Sequence, residues 1–159
     1  MRKLLGGAAV AMLFFGARLA WNLISYEPIP EPSAADMAAE AAEMDSWVAE
    51  DLAADGAAAP ARDWLSADGH MLFEGDPEMV QTLIDDFYAA GAPNVWFIGI
   101  EQIGQASVSA SIAVELPPDS VTRSQILRTE AKFWHDPESQ SEPETTDDVG
   151  QRYLVVSFD

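Results

Sequence analysis

Ser107-Val108-Ser109-Ala110-Ser111-Ile112-Ala113-Val114-Glu115-Leu116 is the cleanest alternation in the chain. A period of two sends successive side chains to opposite faces of a strand. Val108, Ala110, Ile112, Val114 and Leu116 point one way. Ser107, Ser109, Ser111, Ala113 and Glu115 point the other, toward solvent or a partner. Pro117-Pro118 ends the strand, and Gly104-Gln105 turns into it from an apolar strand over residues 94–103, which carries Val95-Trp96-Phe97-Ile98-Gly99-Ile100.

The pattern changes period on either side. Upstream, residues 70–74 read as a short strand. Asp76 and Pro77 then open a helix as cap and first-turn proline, and Met79, Val80, Leu83, Ile84 and Phe87 form its buried stripe. Gly91 and Pro93 terminate it. Downstream, Asp119 or Ser120 caps a second helix with Ile126, Leu127, Ala131, Phe133 and Trp134 facing inward. An acidic loop follows Asp136-Pro137, and residues 153–158 close the chain as a strand.

The order is βαββαβ, and in that order alone the chain resembles the ferredoxin-like arrangement. The expected architecture is α+β: a four-stranded antiparallel sheet, the 107–116 strand central, two helices on one face. Three regions are expected: an anchor or signal segment over 1–26, a linker and acidic helix over 27–62, and the ferredoxin-like domain over 63–159.

The lead-in is read from charge. Residues 4–24 are mostly apolar, carry Arg18 as their one charge, and follow Met1, Arg2 and Lys3. As a helix they would extend about 31 Å, enough to cross a hydrocarbon core. The basic start and acidic continuation orient the N-terminus to the cytoplasm, leaving the domain outside it, in the periplasm if the host is bacterial. A cleaved signal peptide is the competing reading, in which case the domain is secreted. The sites at Ala17 and Ala20 place Phe15 or Arg18 where a small residue is needed, which favours the uncleaved anchor. Glu27-Pro28-Ile29-Pro30-Glu31-Pro32 is a stiff, extended spacer.

Ser33 and Asp36 have capping-box spacing, and an Ala-rich helix continues to Asp55. Met37, Ala41, Met44, Val48 and Leu52 form one thin apolar stripe. Glu40, Glu43, Asp45, Glu50 and Asp51 occupy the other faces. The helix reads as a solvated spacer lying at most against the domain; a docking helix seating Met37, Met44 and Trp47 in a partner's groove is the alternative.

Composition excludes several functions. The formal charge of −19 opposes nucleic acid and anionic lipid as partners of the domain. With no cysteine there is no disulfide framework, thiol nucleophile or thiolate metal site. The central strand lacks the aromatic and basic residues of an RNA-recognition motif. Arg62 has no glycine-rich loop with which to hold phosphate. His70 and His135, the two histidines, can be combined on paper with Asp68 or Asp136 and a serine, but no nucleophile-elbow pattern supports a hydrolase. Asp136, Glu138, Glu142, Glu144, Asp147 and Asp148 crowd one loop without the spacing of an EF-hand.

No cofactor, metal or catalytic residue is therefore expected. The reading is a membrane-anchored acidic interaction or accessory domain for a protein partner with a basic face. Ser107, Ser109, Ser111 and Glu115, with Glu142, Glu144, Asp147 and Asp148, are the candidate contact surface. The alternative is an extracytoplasmic domain that senses a small ligand or cation, with a pocket near His70 and Trp96.

Overall fold

The computed structural model describes residues 32–73, 75–135, 143 and 145–158. The apolar stretch 4–24, the proline-rich spacer up to Glu31, and Glu142 and Glu144 lie outside the described residues. Among the described residues no helix is long and apolar enough to cross a membrane. Residues from Ser33 onward form one compact unit.

In chain order the elements are α1 (Ala34–Ala53), β1 (Ala59–Pro60), α2 (Ala61–Leu65), β2 (His70–Leu72), α3 (Pro77–Ala89), β3 (Val95–Ile98), β4 (Glu101–Ile103), β5 (Ala106–Ser109), β6 (Ser111–Glu115), α4 (Ser120–Trp134) and β7 (Tyr153–Ser157). Helices α1, α3 and α4 start where side chains cap them. The Ser33 hydroxyl accepts from the Asp36 N–H at 3.2 Å, and the Asp36 carboxylate accepts from the Ser33 N–H at 3.1 Å. Asp76 accepts from the Glu78 N–H at 2.9 Å with Pro77 in the first turn, and Asp119 accepts from the Thr122 N–H at 2.8 Å. Each cap satisfies an N–H that the helix leaves without a partner.

The fold is α+β around a four-stranded antiparallel sheet of order β1-β3-β6-β7. One face carries Val95, Phe97, Ile112, Val114, Leu154 and Val156, covered by Val80, Leu83, Ile84 and Phe87 of α3 and by Ile126 and Leu127 of α4. Both expected helices thus lie on one face. Each large apolar side chain fully buried there stabilises by about 1.5–3 kcal/mol relative to exposure. Two side chains of the expected stripes lie outside this core: Met79 is 44% and Trp134 51% exposed.

Both long strands break. The 94–103 segment divides at Gly99, whose φ of 59° lies in the left-handed region, and the 107–116 segment divides at Ala110. The buried Ser109 hydroxyl fastens the break, donating to the Ile98 carbonyl at 2.7 Å. Beyond it, β4 and β5 form a hairpin that joins β2 in a three-stranded sheet of order β2-β5-β4, with β2 parallel to β5. The first strand of the βαββαβ order therefore pairs only with the first half of the central strand, and β7 takes the second half.

The opposite face of the main sheet is where expectation and structure part. Helix α1 lies against the domain on this face, so the face expected to meet solvent or a partner is covered. Val48 is fully buried with Ile98, Ala113 and Tyr153, and Leu52 and Trp96 pack around them. Two carboxylates expected on solvated faces tie the helix down. Asp45 accepts from the Arg152 and Tyr153 N–H groups at 2.7 and 2.9 Å, and Asp51 accepts from the Gly99 N–H at 2.8 Å. The unit from Ser33 onward thus layers α1, the main sheet and the other described helices.

Candidate functional site

The serine row does not form an open face. Ser109 is buried inside the break between β5 and β6, where its hydroxyl also receives the Ser111 N–H at 3.3 Å. Ser107 accepts from the Gln102 side chain at 2.6 Å, and the Ser111 and Ser157 hydroxyls lie 3.0 Å apart. Ala113, in the middle of the row, is fully buried beneath α1. Glu115 accepts from Asn94 at 2.8 Å and from Arg152 at 3.1 Å; these bonds, Asn94 first, hold its carboxyl below the ordinary carboxylate range. The strand break and the covering helix are the physical reasons that four residues sharing a period-two register do not share a surface.

The acidic loop contributes two described members. Asp148 receives the Arg123 guanidinium at 2.9 Å, which lowers its pKa and raises that of Arg123. Arg123 also donates to the Gln151 carbonyl at 2.9 Å, so this pair closes the loop onto α4. Asp147 is exposed and accepts from the Gln151 side chain through its carbonyl at 3.0 Å. Among the described residues no group of three or more His, Asp or Glu side chains is placed to hold a metal ion.

His70 is tied up structurally. Its ring stacks on Trp64 with centroids 4.8 Å apart, and Nδ1 donates to the Trp64 carbonyl at 2.8 Å. Trp64 sits in α2 at 3% exposure, its ring 4.3 Å from that of Phe97. Its sequence neighbours carry no helical stripe long enough to have revealed this.

Two surfaces are left without a covering element among the described residues. The first is the outer face of the small sheet. Cross-strand register places Met71 and Val108 beside Glu101, with Ile103 two residues on and Phe73 beyond Met71. Met71, Phe73 and Ile103 are 57%, 65% and 54% exposed, and β4 is exposed throughout and forms the sheet's edge. Ile103 reaches this face on the β4–β5 hairpin, which the breaks at Gly99 and Ala110 set off from the main sheet, while Met71 lies in β2 and Phe73 just after it.

The second is a groove of about 250 Å³ between the first half of α1 and β7. Met37, Ala41 and Met44 line it from the helix, Val149 and Val155 from the other side, with Glu40 and Asp147 also in its wall. The stripe of α1 thus divides: Val48 and Leu52 bury against the sheet, while the methionine half overhangs its edge. The charged lining is all acidic.

No protein-family model, curated protein or solved structure matches this chain.

Proposed function

We propose that this chain is an acidic interaction domain, tethered to a membrane by residues 4–24, that docks a protein partner with a basic face. The observation that carries the reading is the outer face of the small sheet. Three large apolar side chains, Met71, Phe73 and Ile103, stand more than half exposed together beside an open strand edge. Isolated exposed apolar residues are ordinary, whereas a cluster on one sheet face marks an interaction surface. The net charge of −19 supports a partner whose basic residues surround an apolar centre. The tether rests on the basic start and apolar run of the sequence, and places the domain outside the cytoplasm.

The βαββαβ order, the parallel pairing of β2 with β5 and the two helices on one face support a variant of the ferredoxin-like arrangement in which the last strand has taken part of the first strand's place.

The test is crosslinking of the full-length protein in its membrane, followed by affinity capture and mass spectrometry. One stoichiometric partner is expected, lost at high salt and lost in the Met71→Ser/Phe73→Ser double variant. A partner captured equally by wild type and double variant, at low and high salt, would overturn both the surface and the electrostatic reading.

A second reading, a domain sensing a small ligand or cation, is favoured by the groove between α1 and β7. It predicts that a metabolite or cation raises the melting temperature of the protein.

A further inference from the structure

Among the described residues the outer flank of β7 is unpaired, and that flank runs beside the acidic groove. β7 is the end strand of the order β1-β3-β6-β7. The Phe158 N–H donates to the Ala110 carbonyl at 2.8 Å, and the Leu116 N–H to the Arg152 carbonyl at 2.9 Å. Backbone groups alternate sides along a strand. Residues 154, 156 and 158, with the Arg152 carbonyl, therefore bond toward the β6 side, whereas Tyr153, Val155 and Ser157 turn their N–H and C=O groups away from the sheet; the Arg152 N–H goes to Asp45. Asp45 already takes the Tyr153 N–H. Among the described residues no strand pairs with Val155 or Ser157 on that side.

An unpaired edge is a template for another strand, and native proteins commonly blunt such edges with lysine, proline or a covering element. Here the edge residues carry neither lysine nor proline, and what stands beside the edge is a binding-shaped concavity. Met37, Ala41 and Met44 offer an apolar wall whose unbranched thioethers adapt to a guest side chain. Glu40 and Asp147 supply negative charge there, while the neighbouring cation Arg152 is held by Glu115 at 3.1 Å.

We propose that this flank takes an extended, basic segment of a partner protein, which adds to β7 as a further strand. Main-chain bonds form to the outward groups of Val155 and Ser157. One apolar side chain of the segment seats between Met37, Ala41 and Met44, and its flanking lysines or arginines meet Glu40 and Asp147. Strand addition of this kind draws affinity from the main chain and specificity from alternate side chains. The inference rests on the interaction-domain reading but uses a surface separate from the small sheet.

The test is fluorescence anisotropy with the full-length protein in detergent micelles. The probe is a short fluorescein-labelled peptide alternating lysine and valine around a central leucine. Two companions replace its lysines by glutamate, or its outer valines by proline. The basic probe is expected to bind and both companions to fail. Ala41→Lys fills the groove and opposes the probe's charge, and should weaken binding about tenfold or more. Glu40→Gln with Asp147→Asn, both exposed positions that leave packing untouched, should weaken it about three- to fivefold. Val155→Pro removes an outward N–H without removing a bond to β6, and should weaken binding while the melting temperature reports an intact fold.

Equal binding of the basic and glutamate probes would overturn the charge complementarity, and equal binding of the proline probe would overturn strand addition. No binding of the basic probe would overturn the site itself. If membrane crosslinking still captures a stoichiometric partner in that case, the interaction-domain reading stands without this groove; if neither experiment yields binding, both fall.

Discussion

Asp45→Ala should release α1 from the sheet, because one carboxylate there serves two backbone donors from a strand more than a hundred positions away. Both bonds are short, 2.7 and 2.9 Å, and both have a charged acceptor. Bonds to charged groups contribute about 1.5–3 kcal/mol each when buried. Arg152 is largely exposed, so its N–H regains water after the substitution, whereas Tyr153 is 5% exposed and its N–H recovers less. Discounting the first bond leaves an expected loss of about 2–3 kcal/mol. For a unit of this size each kcal/mol lowers the melting temperature by about 4 °C, so thermal unfolding should shift down by about 8–12 °C. Asp45→Asn keeps one acceptor but turns an amide donor toward the other N–H, so at least half the loss should remain. Glu43→Ala, on the exposed side of the same helix, should stay within about 0.5 kcal/mol of wild type. The assay is circular dichroism melting of the three variants, paired with limited proteolysis of α1. If Asp45→Ala melts with Glu43→Ala and α1 is cut no faster, the helix is not latched and the three-layer description fails.

Further outcomes follow from the core and the charges. Trp64→Ala removes a ring packed between His70 and Phe97, and should cost about 3–5 kcal/mol in denaturant unfolding. Gly91→Ala should destabilise by more than about 1 kcal/mol, since φ is 98° and the added Cβ would lie 2.6 Å from Thr122 Cγ2. Asp148 has a lowered folded pKa because of Arg123, so its contribution is complete above its unfolded value of about 4 and is lost as pH falls through the folded value. Melting curves of Asp148→Asn should therefore show a shallower acid limb than wild type; an identical limb refutes the role of the pair. Burial raises the pKa of Glu130, with the opposite sign: its contribution is present below the unfolded value and is lost as pH rises through the folded one. Glu130→Gln should hold or raise the melting temperature at neutral pH, and a clear drop refutes that reading. Moderate salt should raise the melting temperature of wild type by screening a net charge of −19.

Much of the fold was legible from local signals. The caps at Ser33, Asp76 and Asp119, the proline at the start of α3 and the glycine after it are short-range steric and hydrogen-bonding requirements, and each appears where its residues stand. The stripe of Val80, Leu83, Ile84 and Phe87 specifies which face of α3 is buried, because period and burial are coupled through backbone geometry, whereas the alternation in β6 marks Ile112 and Val114 but misses the burial of Ala113 between them. The candidate surface was less legible. Ser107, Ser109, Ser111 and Glu115 share a register, but whether a register becomes a surface depends on what lies on it. Asp45 and Asp51 share a helix with Glu40 and Glu43, and a carboxylate that meets a distant N–H is written with the same letter as one that meets water.

The acidic balance, the apolar N-terminal run, the starts of α1, α3 and α4, and the face on which α3 buries its side chains can all be read from the sequence. Those depend on residue type and on neighbours within a few positions. The break of the central strand at Ala110, the covering of the sheet's second face by α1 and, among the described residues, the unpaired flank of β7 beside an acidic groove are settled by tertiary contacts alone. These outcomes rest on contacts between segments as far apart as Asp45 and Tyr153. Their free energy comes from shape and hydrogen-bond matching across the chain, which no window of local sequence contains.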